Sequence, residues 1–295
     1  RCSYQFACYH DGGMITDGVM LHFEDKLWMA QAVGDLFNWY LAHAKDFDVK
    51  ISDPNVWVSQ IQGPKSLDLL DAVIDKTLPE SFNYFDFCNV FINGEEVIIS
   101  RTGFSNELGW EIYLQSKNDY KKIGDKILNV GKQFNLQLPG TPVFRARRIE
   151  AGLLSAGRDF NKFTSPYDVG LDKFVNMQKG NFIGKKALET KNKKHTVKGL
   201  RIKDGIACQG SKIIFNKQCI GEVTSSSWSP YQECGVAIVR LINKTDEISS
   251  PVEVYDYKNN ILEAYICDLP MYDKNGEIVR GIDKNIPQTS KPWFK

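Results

Sequence analysis

Residues 90–99 say most about the fold, and they read Val90-Phe91-Ile92-Asn93-Gly94-Glu95-Glu96-Val97-Ile98-Ile99. Two short apolar runs flank Asn93-Gly94, and an Asn-Gly pair supplies the positive φ angles that a two-residue hairpin turn requires. The stretch therefore predicts an antiparallel hairpin, with one strand on each side of the turn.

Strand and helix patterns alternate on both sides of this hairpin as far as about residue 191. Apolar residues at every second position predict a strand over 56–61. Apolar residues three and four positions apart predict helices over 35–47, 67–73, 120–134 and 144–154. Beyond the basic run 191–195, short apolar runs between turn residues predict strands at 213–215, 219–223, 236–239, 252–255 and 264–266. The expected fold class is α+β, with an antiparallel β-barrel or sandwich over 196–295.

The composition favours a protein that acts on small molecules. The chain has 295 residues, of which 42% are hydrophobic, enough for a sizeable core. Its 37 basic and 36 acidic residues are spread along the sequence, so no basic stripe predicts nucleic-acid binding. No apolar run approaches the roughly 20 residues that span a bilayer, and residues 1–6 lack the apolar core of a signal peptide. We therefore expect neither a nucleic-acid nor a membrane partner.

The cysteines and histidines argue against disulfides and metal. The seven cysteines are odd in number and never form a Cys-x-x-Cys pair, which indicates reduced, mostly core thiols and a cytoplasmic location. None of the four histidines lies at ligand spacing from another histidine or a cysteine, so we expect no metal site. Glycine-rich phosphate loops and the Gly-x-Ser-x-Gly elbow are also missing from the sequence. Chemistry that orients two bound molecules is therefore favoured over a covalent intermediate.

One carboxylate stands close to a glycine turn in residues 9–21. Gly12-Gly13 permits a tight turn, and the apolar residues that follow look like a strand, so Asp17 is expected where that strand leaves the loop. The alternative is a hairpin turn in which the aspartate only caps backbone amides.

A second carboxylate lies in residues 100–113. Strand alternation places Glu111 and Tyr113 side by side on one face, with Trp110 on the other. The face with the carboxylate and the phenol suits the edge of a heterocycle. The alternative is a plain sheet strand in which Glu111 pairs with Arg101.

Two further segments are ambiguous on physical grounds. The arginines of residues 147–159 could meet an anionic ligand, but an Arg and a Glu on one helix face more often pair with each other. In residues 221–230, Trp228 stands in a serine-rich loop. It is as readily a domain-packing anchor as the wall of a ligand site.

Together and in this order, these segments resemble the aminomethyltransferase family that includes the glycine-cleavage T protein. The resemblance covers nearly the whole chain, through the segments at 12–17, 101–104, 109–112, 148–154 and 221–225. Within that family the chain is similar to tetrahydrofolate-dependent dimethylsulfoniopropionate demethylases, through residues 147–155, 170–175 and 228–230. No single motif is decisive, whereas their order and spacing are.

The resemblance implies a three-domain cloverleaf around a folate channel. Residues 1–190 would form a folate-binding transferase region of two intertwined α+β subdomains, and 196–295 the β-rich domain. Relative to the family, an N-terminal segment is expected to be missing.

The resemblance also implies site residues. Asp17 matches the catalytic aspartate beside the reactive folate nitrogen. Tyr4, Phe104, Glu111 and Tyr113 are expected to bind folate, and Trp110, Trp228 and Arg145 to bind the donor. T proteins are expected to carry a tyrosine at position 104, a second aspartate at position 18 and an arginine near position 144, where this chain has Phe104, Gly18 and Phe144.

The implied reaction is transfer of a methyl group to N5 of tetrahydrofolate from a small donor, with dimethylsulfoniopropionate as the best candidate. One alternative is a T protein that makes 5,10-methylenetetrahydrofolate from a lipoyl-bound carrier, or a relative that demethylates an N-methyl or O-methyl donor. Another is a folate-binding scaffold without transferase activity. The expected partners are folate and the donor, and a homodimer is left open.

Overall fold

The structure is a computed structural model that describes residues 1–31, 36–242 and 251–284. It contains three β-sheets with short helices between them, which confirms the α+β class. Two of the sheets are open and the third closes into a barrel. In the described residues no helix is long and apolar enough to cross a membrane.

The first sheet is antiparallel and has the order β1-β2-β3. Its strands are β1 (Cys2–Cys8), β2 (Met14–His22) and β3 (Leu27–Gln31). Helix α1 (Phe37–His43) follows, and none of its residues is buried. The sequence predicted a helix over 35–47. Asp35 lies outside the described residues, and the helix ends at His43 instead of Phe47. Phe47 is 68% exposed, so burial of its ring does not stabilise a longer helix.

The second sheet has the order β4-β7-β6-β5 and contains the predicted hairpin. Asn93 and Gly94 have φ angles of 54° and 80°, as an Asn-Gly turn requires. Apolar residues of helices α2 and α3 cover one face of this sheet. The elements are β4 (Val56–Gln62), α2 (Ser66–Val73), β5 (Phe87–Ile92), β6 (Glu95–Ser100), β7 (Gly109–Gln115) and α3 (Tyr120–Gly131).

Helix α4 (Thr141–Ala151) connects the second sheet to the rest of the chain. Pro142 occupies its first turn, where a missing N–H costs nothing. Gly152 ends it with a φ of 72°, and the Leu153 amide returns to the Arg148 carbonyl at 2.8 Å. The helix begins three residues earlier than the sequence predicted.

The third sheet is a closed six-stranded barrel with the order β10-β11-β8-β13-β12-β9, so the barrel alternative is confirmed. Helix α5 (Lys185–Thr190) precedes it, and residues 191–196 form neither helix nor strand. The division at 190 and 196 stays a prediction. The strands are β8 (Val197–Ile202), β9 (Lys212–Phe215), β10 (Gln218–Ser229), β11 (Cys234–Leu241), β12 (Val252–Tyr255) and β13 (Ile261–Cys267).

The three sheets meet through two shared cores. One core joins the first and second sheets through Cys2, Leu21, Ile98 and Tyr113. The other joins the first sheet, α4 and the barrel, with Phe160 fully buried in it. All seven cysteines are free thiols. Cys2, Cys8 and Cys234 are buried in the cores, and Cys88 and Cys267 pack against them partly buried, in line with the expectation of mostly core thiols.

Candidate active site

Asp17 lies on β2 and forms a pair with Tyr4 on β1. In the strand register Asp17 is opposite Phe6 and Tyr4 is opposite Val19, so the two side chains are diagonal neighbours on one face. The Tyr4 hydroxyl donates a hydrogen bond to Asp17 Oδ2 at 2.7 Å. Burial raises the pKa of the Asp17 carboxyl, and the negative charge of Asp159 adds to the rise. Burial and the charge of Asp17 likewise raise the pKa of the Tyr4 phenol.

The sequence left two roles open for Asp17, a site residue on the strand or a cap of backbone amides in the turn before β2, and the structure gives the capping role to a different aspartate. Asp11 caps the turn by accepting from the Gly13 amide at 2.9 Å, whereas Asp17 stands three residues into the strand. A Cβ on Gly13 would lie 1.8 Å from the Lys162 carbonyl oxygen. Glycine is therefore needed for the close approach that ties this turn to residues 162–164.

Glu111 lies on β7 in a group of hydroxyls, here called the Glu111 cluster (Ser100, Thr102, Glu111 and Tyr113). Thr102 donates to Glu111 Oε2, and the Tyr113 hydroxyl approaches the same oxygen at 3.4 Å. Thr102 also hydrogen-bonds to Ser100. Burial raises the pKa of the Glu111 carboxyl. Among the described residues, the hydrogen bonds to this carboxylate reach only Oε2, which leaves Oε1 available to a ligand.

Arg101 does not form the pair with Glu111 that the sequence left open as an alternative. Its guanidinium donates to the Phe82 carbonyl at 2.8 Å and to the Arg280 carbonyl at 2.5 Å. The arginine therefore joins the loop before β5 to the segment that follows the barrel.

Trp110 lies on the opposite face of β7 from Glu111. Its side chain is 1% exposed and its ring stacks on Phe82 at 5.5 Å. A cavity of about 590 Å³ borders Trp110 and Arg101 on that face, and neither Asp17 nor Glu111 lines it. The structure thus does not bring Trp110, a predicted donor contact, to the side of the sheet that carries the Glu111 cluster.

The Asp17 pair and the Glu111 cluster border the same face of β1. Cys2 packs against Tyr113 in the core between the two sheets, and the charge of Glu111 contributes to the raised pKa of the Cys2 thiol, behind burial. Cys2 and Tyr4 lie on the same face of β1, about 7 Å apart along the strand. One carboxylate therefore stands near each end of this short segment. In the part of the chain that the structure describes, neither carboxylate forms a salt bridge.

A third carboxylate, Asp159, is enclosed in what we call the Asp159 network (Arg148, Asp159, Thr224 and Ser225). Arg148 donates to Asp159 at 2.7 Å and to Ser225 at 2.7 Å. Thr224 and Ser225 donate to Asp159 at 2.6 and 2.7 Å. Because the network joins α4 to β10, it holds the barrel against the rest of the chain. The sequence offered no local signal for it, since its hydrogen-bonded pairs lie 11 to 77 positions apart.

Arg147 links α4 to the loop that carries Phe104. It donates to Glu107 through two nitrogens, and it pairs with Glu150 three residues along the helix, as the sequence indicated. Its guanidinium also lies 4.1 Å from the centre of the Tyr272 ring. The loop is thereby fixed to both the helix and the segment after the barrel.

The remaining predicted site residues lie around this framework. Phe104 is 37% exposed and lies 6.0 Å from the Arg148 guanidinium. Trp228 is 40% exposed, at the end of β10 that lies beyond Ser225. Arg145 is half-buried on α4. In the described residues no group of three or more metal-ligating side chains occurs.

Comparisons with known proteins agree with this architecture. The profile of the GCVT N-terminal domain matches residues 1–179, and that of the glycine cleavage T-protein C-terminal barrel domain matches residues 196–273. The aminomethyltransferase of Caldanaerobacter subterraneus subsp. tengcongensis is 31% identical over 282 residues, which is 92% of this chain and 75% of the relative. That of Thermotoga maritima is 30% identical over 281 residues, covering 92% and 76%.

A solved structure supports the fold. The glycine cleavage system aminomethyltransferase T from Bartonella henselae superposes with a TM-score of 0.81 at 21% identity, covering 93% of this chain and 76% of that one. The three sheets and the closed C-terminal barrel are thus the expected cloverleaf. The chain belongs to the glycine-cleavage T-protein family of folate-dependent one-carbon transferases.

Proposed function

We propose that this protein transfers a methyl group from a small sulfonium donor, with dimethylsulfoniopropionate as the best candidate, to N5 of tetrahydrofolate. The observation that carries the proposal is that two partly buried carboxylates, Asp17 of β2 and Glu111 of β7, both border one face of β1. Neither forms a salt bridge among the described residues. A buried carboxylate without a cation is costly. Such groups are therefore candidates for binding or catalysis.

The Glu111 cluster fits the edge of a reduced pterin. That edge presents N–H donors, and an ionised carboxylate oxygen accepts hydrogen bonds from such donors. Thr102 and Tyr113 hold Glu111 through Oε2, and within the described ranges no hydrogen bond reaches Oε1. Glu111 and Tyr113 would orient the pterin, and Tyr4 and Phe104 would bound it from β1 and from the loop after Thr102.

Asp17 suits the reacting end of the site. When bound, tetrahydrofolate supplies N5 as the nucleophile. The bond between the methyl carbon and sulfur breaks with its electron pair on sulfur, which leaves a neutral thioether, and the proton displaced from N5 is released. Asp17, held by Tyr4, would attract the cationic donor and polarise N5. Orientation of two reactants supplies up to about 7–11 kcal/mol in favourable cases, so no strong acid is needed.

Position 18 favours this reaction over aminomethyl transfer. T proteins are expected to carry a second aspartate there, whereas this chain has glycine. A Cβ on Gly18 would lie 2.1 Å from the Ala30 carbonyl oxygen, so β3 would have to move before any side chain fitted. Trp228 and Arg145 remain proposed contacts of the donor.

Aminomethyl transfer is the second candidate, since the relatives named above are aminomethyltransferases. The folate product separates the two reactions. The purified protein is incubated with tetrahydrofolate and a panel of sulfonium, betaine and N-methylglycine donors, and in parallel with an aminomethyl-lipoyl carrier. We expect 5-methyltetrahydrofolate from the sulfonium. Formation of 5,10-methylenetetrahydrofolate from the carrier alone would replace the proposal, and folate binding without either product would indicate a scaffold.

A further inference from the structure

Phe174 is an exposed aromatic residue beside the Asp17 pair, and the reaction proposed above gives it no role. It lies in a single 3-10 turn, Asp172–Phe174, and its side chain is 44% exposed. Its ring centre is 5.0 Å from that of Tyr4, with 61° between the ring planes. Because the Tyr4 hydroxyl donates to Asp17, Phe174 stands one ring away from the proposed catalytic carboxylate.

Lys173 places a positive charge at the same ring. Its Nζ lies 5.1 Å from the centre of the Phe174 ring, within the range of a cation–π contact. The Phe174 face can therefore accept a cation, and an exposed ammonium group stands next to it. Asp17 contacts Tyr4 and is half-buried, whereas Lys173 contacts Phe174 and is exposed, so the two rings lie between a carboxyl and an ammonium group.

We propose that Phe174 and Lys173 determine which methyl donor the protein accepts. Phe174, together with Tyr4, would hold the methylated cation beside Asp17, and Lys173 would bind a carboxylate at the other end of the donor. The preferred donors would be short zwitterions with an onium group at one end and a carboxylate at the other. This inference rests on the proposed function, because it assigns the donor side of the same site.

The sequence contains a matched control for this arrangement. Phe163 is 80% exposed, and Lys162 Nζ lies 5.0 Å from its ring centre. The two lysine–phenylalanine pairs have nearly the same distance between ammonium and ring centre, and both rings are exposed, but the ring that contacts Tyr4 is that of Phe174. Removing the Phe163 ring tests whether any exposed aromatic of this kind affects donor use.

The experiment measures kcat and KM for each donor at saturating tetrahydrofolate, by product analysis. The donors are dimethylsulfoniopropionate and trimethylsulfonium, which lacks the carboxylate. 4-Methylpentanoate, the carbon analogue of the first donor, keeps the carboxylate but lacks the sulfonium charge, and it serves as a competitive inhibitor. The variants are Phe174→Leu, Phe174→Tyr, Lys173→Gln and Lys173→Arg, with Phe163→Leu and Lys162→Gln as controls.

Phe174→Leu is expected to raise the KM of both sulfonium donors by about 2- to 30-fold, the range of a cation–π contact. The inhibition constant of the carbon analogue, which lacks the cationic centre, and the KM of folate should change little, and Phe174→Tyr should restore the donor KM. Lys173→Gln should raise the KM of dimethylsulfoniopropionate by up to about fivefold, as for an exposed ion pair. It should leave trimethylsulfonium unaffected, and Lys173→Arg should behave like the wild type.

Two results would overturn the inference. One is an equal change in donor KM for Phe163→Leu and Phe174→Leu. The other is an equal loss of affinity for the sulfonium donor and for its carbon analogue in Phe174→Leu. If none of the sulfonium compounds serves the wild type as a methyl donor, the proposed methyl transfer is contradicted, and not the binding role of Phe174. Calorimetric titration of dimethylsulfoniopropionate into the wild type and Phe174→Leu, with folate present, then decides the binding role separately.

Discussion

Two carboxyl groups of this protein, those of Asp17 and Asp159, lie close enough for the charge of Asp159 to raise the pKa of Asp17. They differ in the hydrogen bonds that they accept. Asp159 is fully buried and receives hydrogen bonds from Arg148, Thr224 and Ser225. Asp17 is half-buried and receives one from the Tyr4 side chain. A buried acid with a complete set of partners is built for stability. An acid whose side-chain partner in the described residues is a neutral hydroxyl has capacity left for a ligand.

The largest expected effect of this contrast is a loss of stability when the Asp159 network is broken. Arg148→Met removes the cation and leaves a buried, unpaired carboxylate, so the free energy of unfolding should fall by about 3–5 kcal/mol. Chemical denaturation measures the change. Arg158→Met is the control, since Arg158 is exposed and next to Asp159 in the sequence, and it should stay within about 0.5 kcal/mol. Equal losses of unfolding free energy in the two variants would contradict a stabilising role for the network.

Asp17→Asn should have the opposite profile. The amide oxygen can still accept from Tyr4, so the fold persists, but the charge that faces the reacting groups is lost. Turnover should fall by about 10²- to 10³-fold, as for other preorganised electrostatic groups, with folate affinity preserved. Asp11→Asn, in the preceding turn, serves as the control and should keep its turnover. Full activity in Asp17→Asn would exclude a catalytic role for this carboxylate.

Glu111→Gln should act on folate binding. Glutamine keeps the shape but loses the charge-assisted hydrogen bonds to the pterin, which are worth about 1.5–3 kcal/mol. The dissociation constant of folate should therefore rise by about tenfold or more, measured by calorimetry or fluorescence quenching. The control is Glu96→Gln, because Glu96 lies on the neighbouring strand and pairs with Lys117 at the surface. A folate affinity unchanged by Glu111→Gln would contradict the assigned pterin edge.

The smallest expected effect is on the pH dependence of stability. Burial raises the pKa of both acids, and the charge of Asp159 adds to the rise at Asp17. The hydrogen bonds from Tyr4 to Asp17 and from Thr102 and Tyr113 to Glu111 only partly oppose it. The native state thus holds these protons more tightly than the unfolded chain. Their contribution to stability is fully present below the unfolded pKa and is lost as the pH rises through the native one.

Asp17→Asn and Glu111→Gln should therefore each be modestly more stable than the wild type at pH 8 and show a flatter decline between pH 4 and pH 8. Urea denaturation across this range measures the difference. A steeper decline in either variant would mean that the native site favours the ionised acid.

Local rules predicted the parts of the fold and the site that depend on neighbours in the sequence. The Asn93-Gly94 hairpin, the pairing of Arg147 with Glu150 and the shared face of Glu111 and Tyr113 follow from turn chemistry and from strand and helix periods. Alternation also placed Trp110 on the far face. Its candidacy as a donor contact came from the family resemblance, and the structure places it in the core behind that sheet.

Long-range contacts could not be read in the same way. The Tyr4–Asp17 hydrogen bond depends on the register of β1 and β2, which a bulge between Ala7 and Cys8 shifts. The Asp159 network depends on how the barrel docks on α4. Neither register nor docking leaves a periodic trace, so Tyr4 was found by resemblance and the network was not found.

The hydrogen bond from Arg101 to the Arg280 carbonyl makes the last described segment a tether for the strand end that leads to Thr102. A displacement of this segment, for example by a fused tag or a shortened terminus, would reach Thr102, which hydrogen-bonds to Glu111. Work on this protein should therefore keep engineered additions away from its carboxyl end.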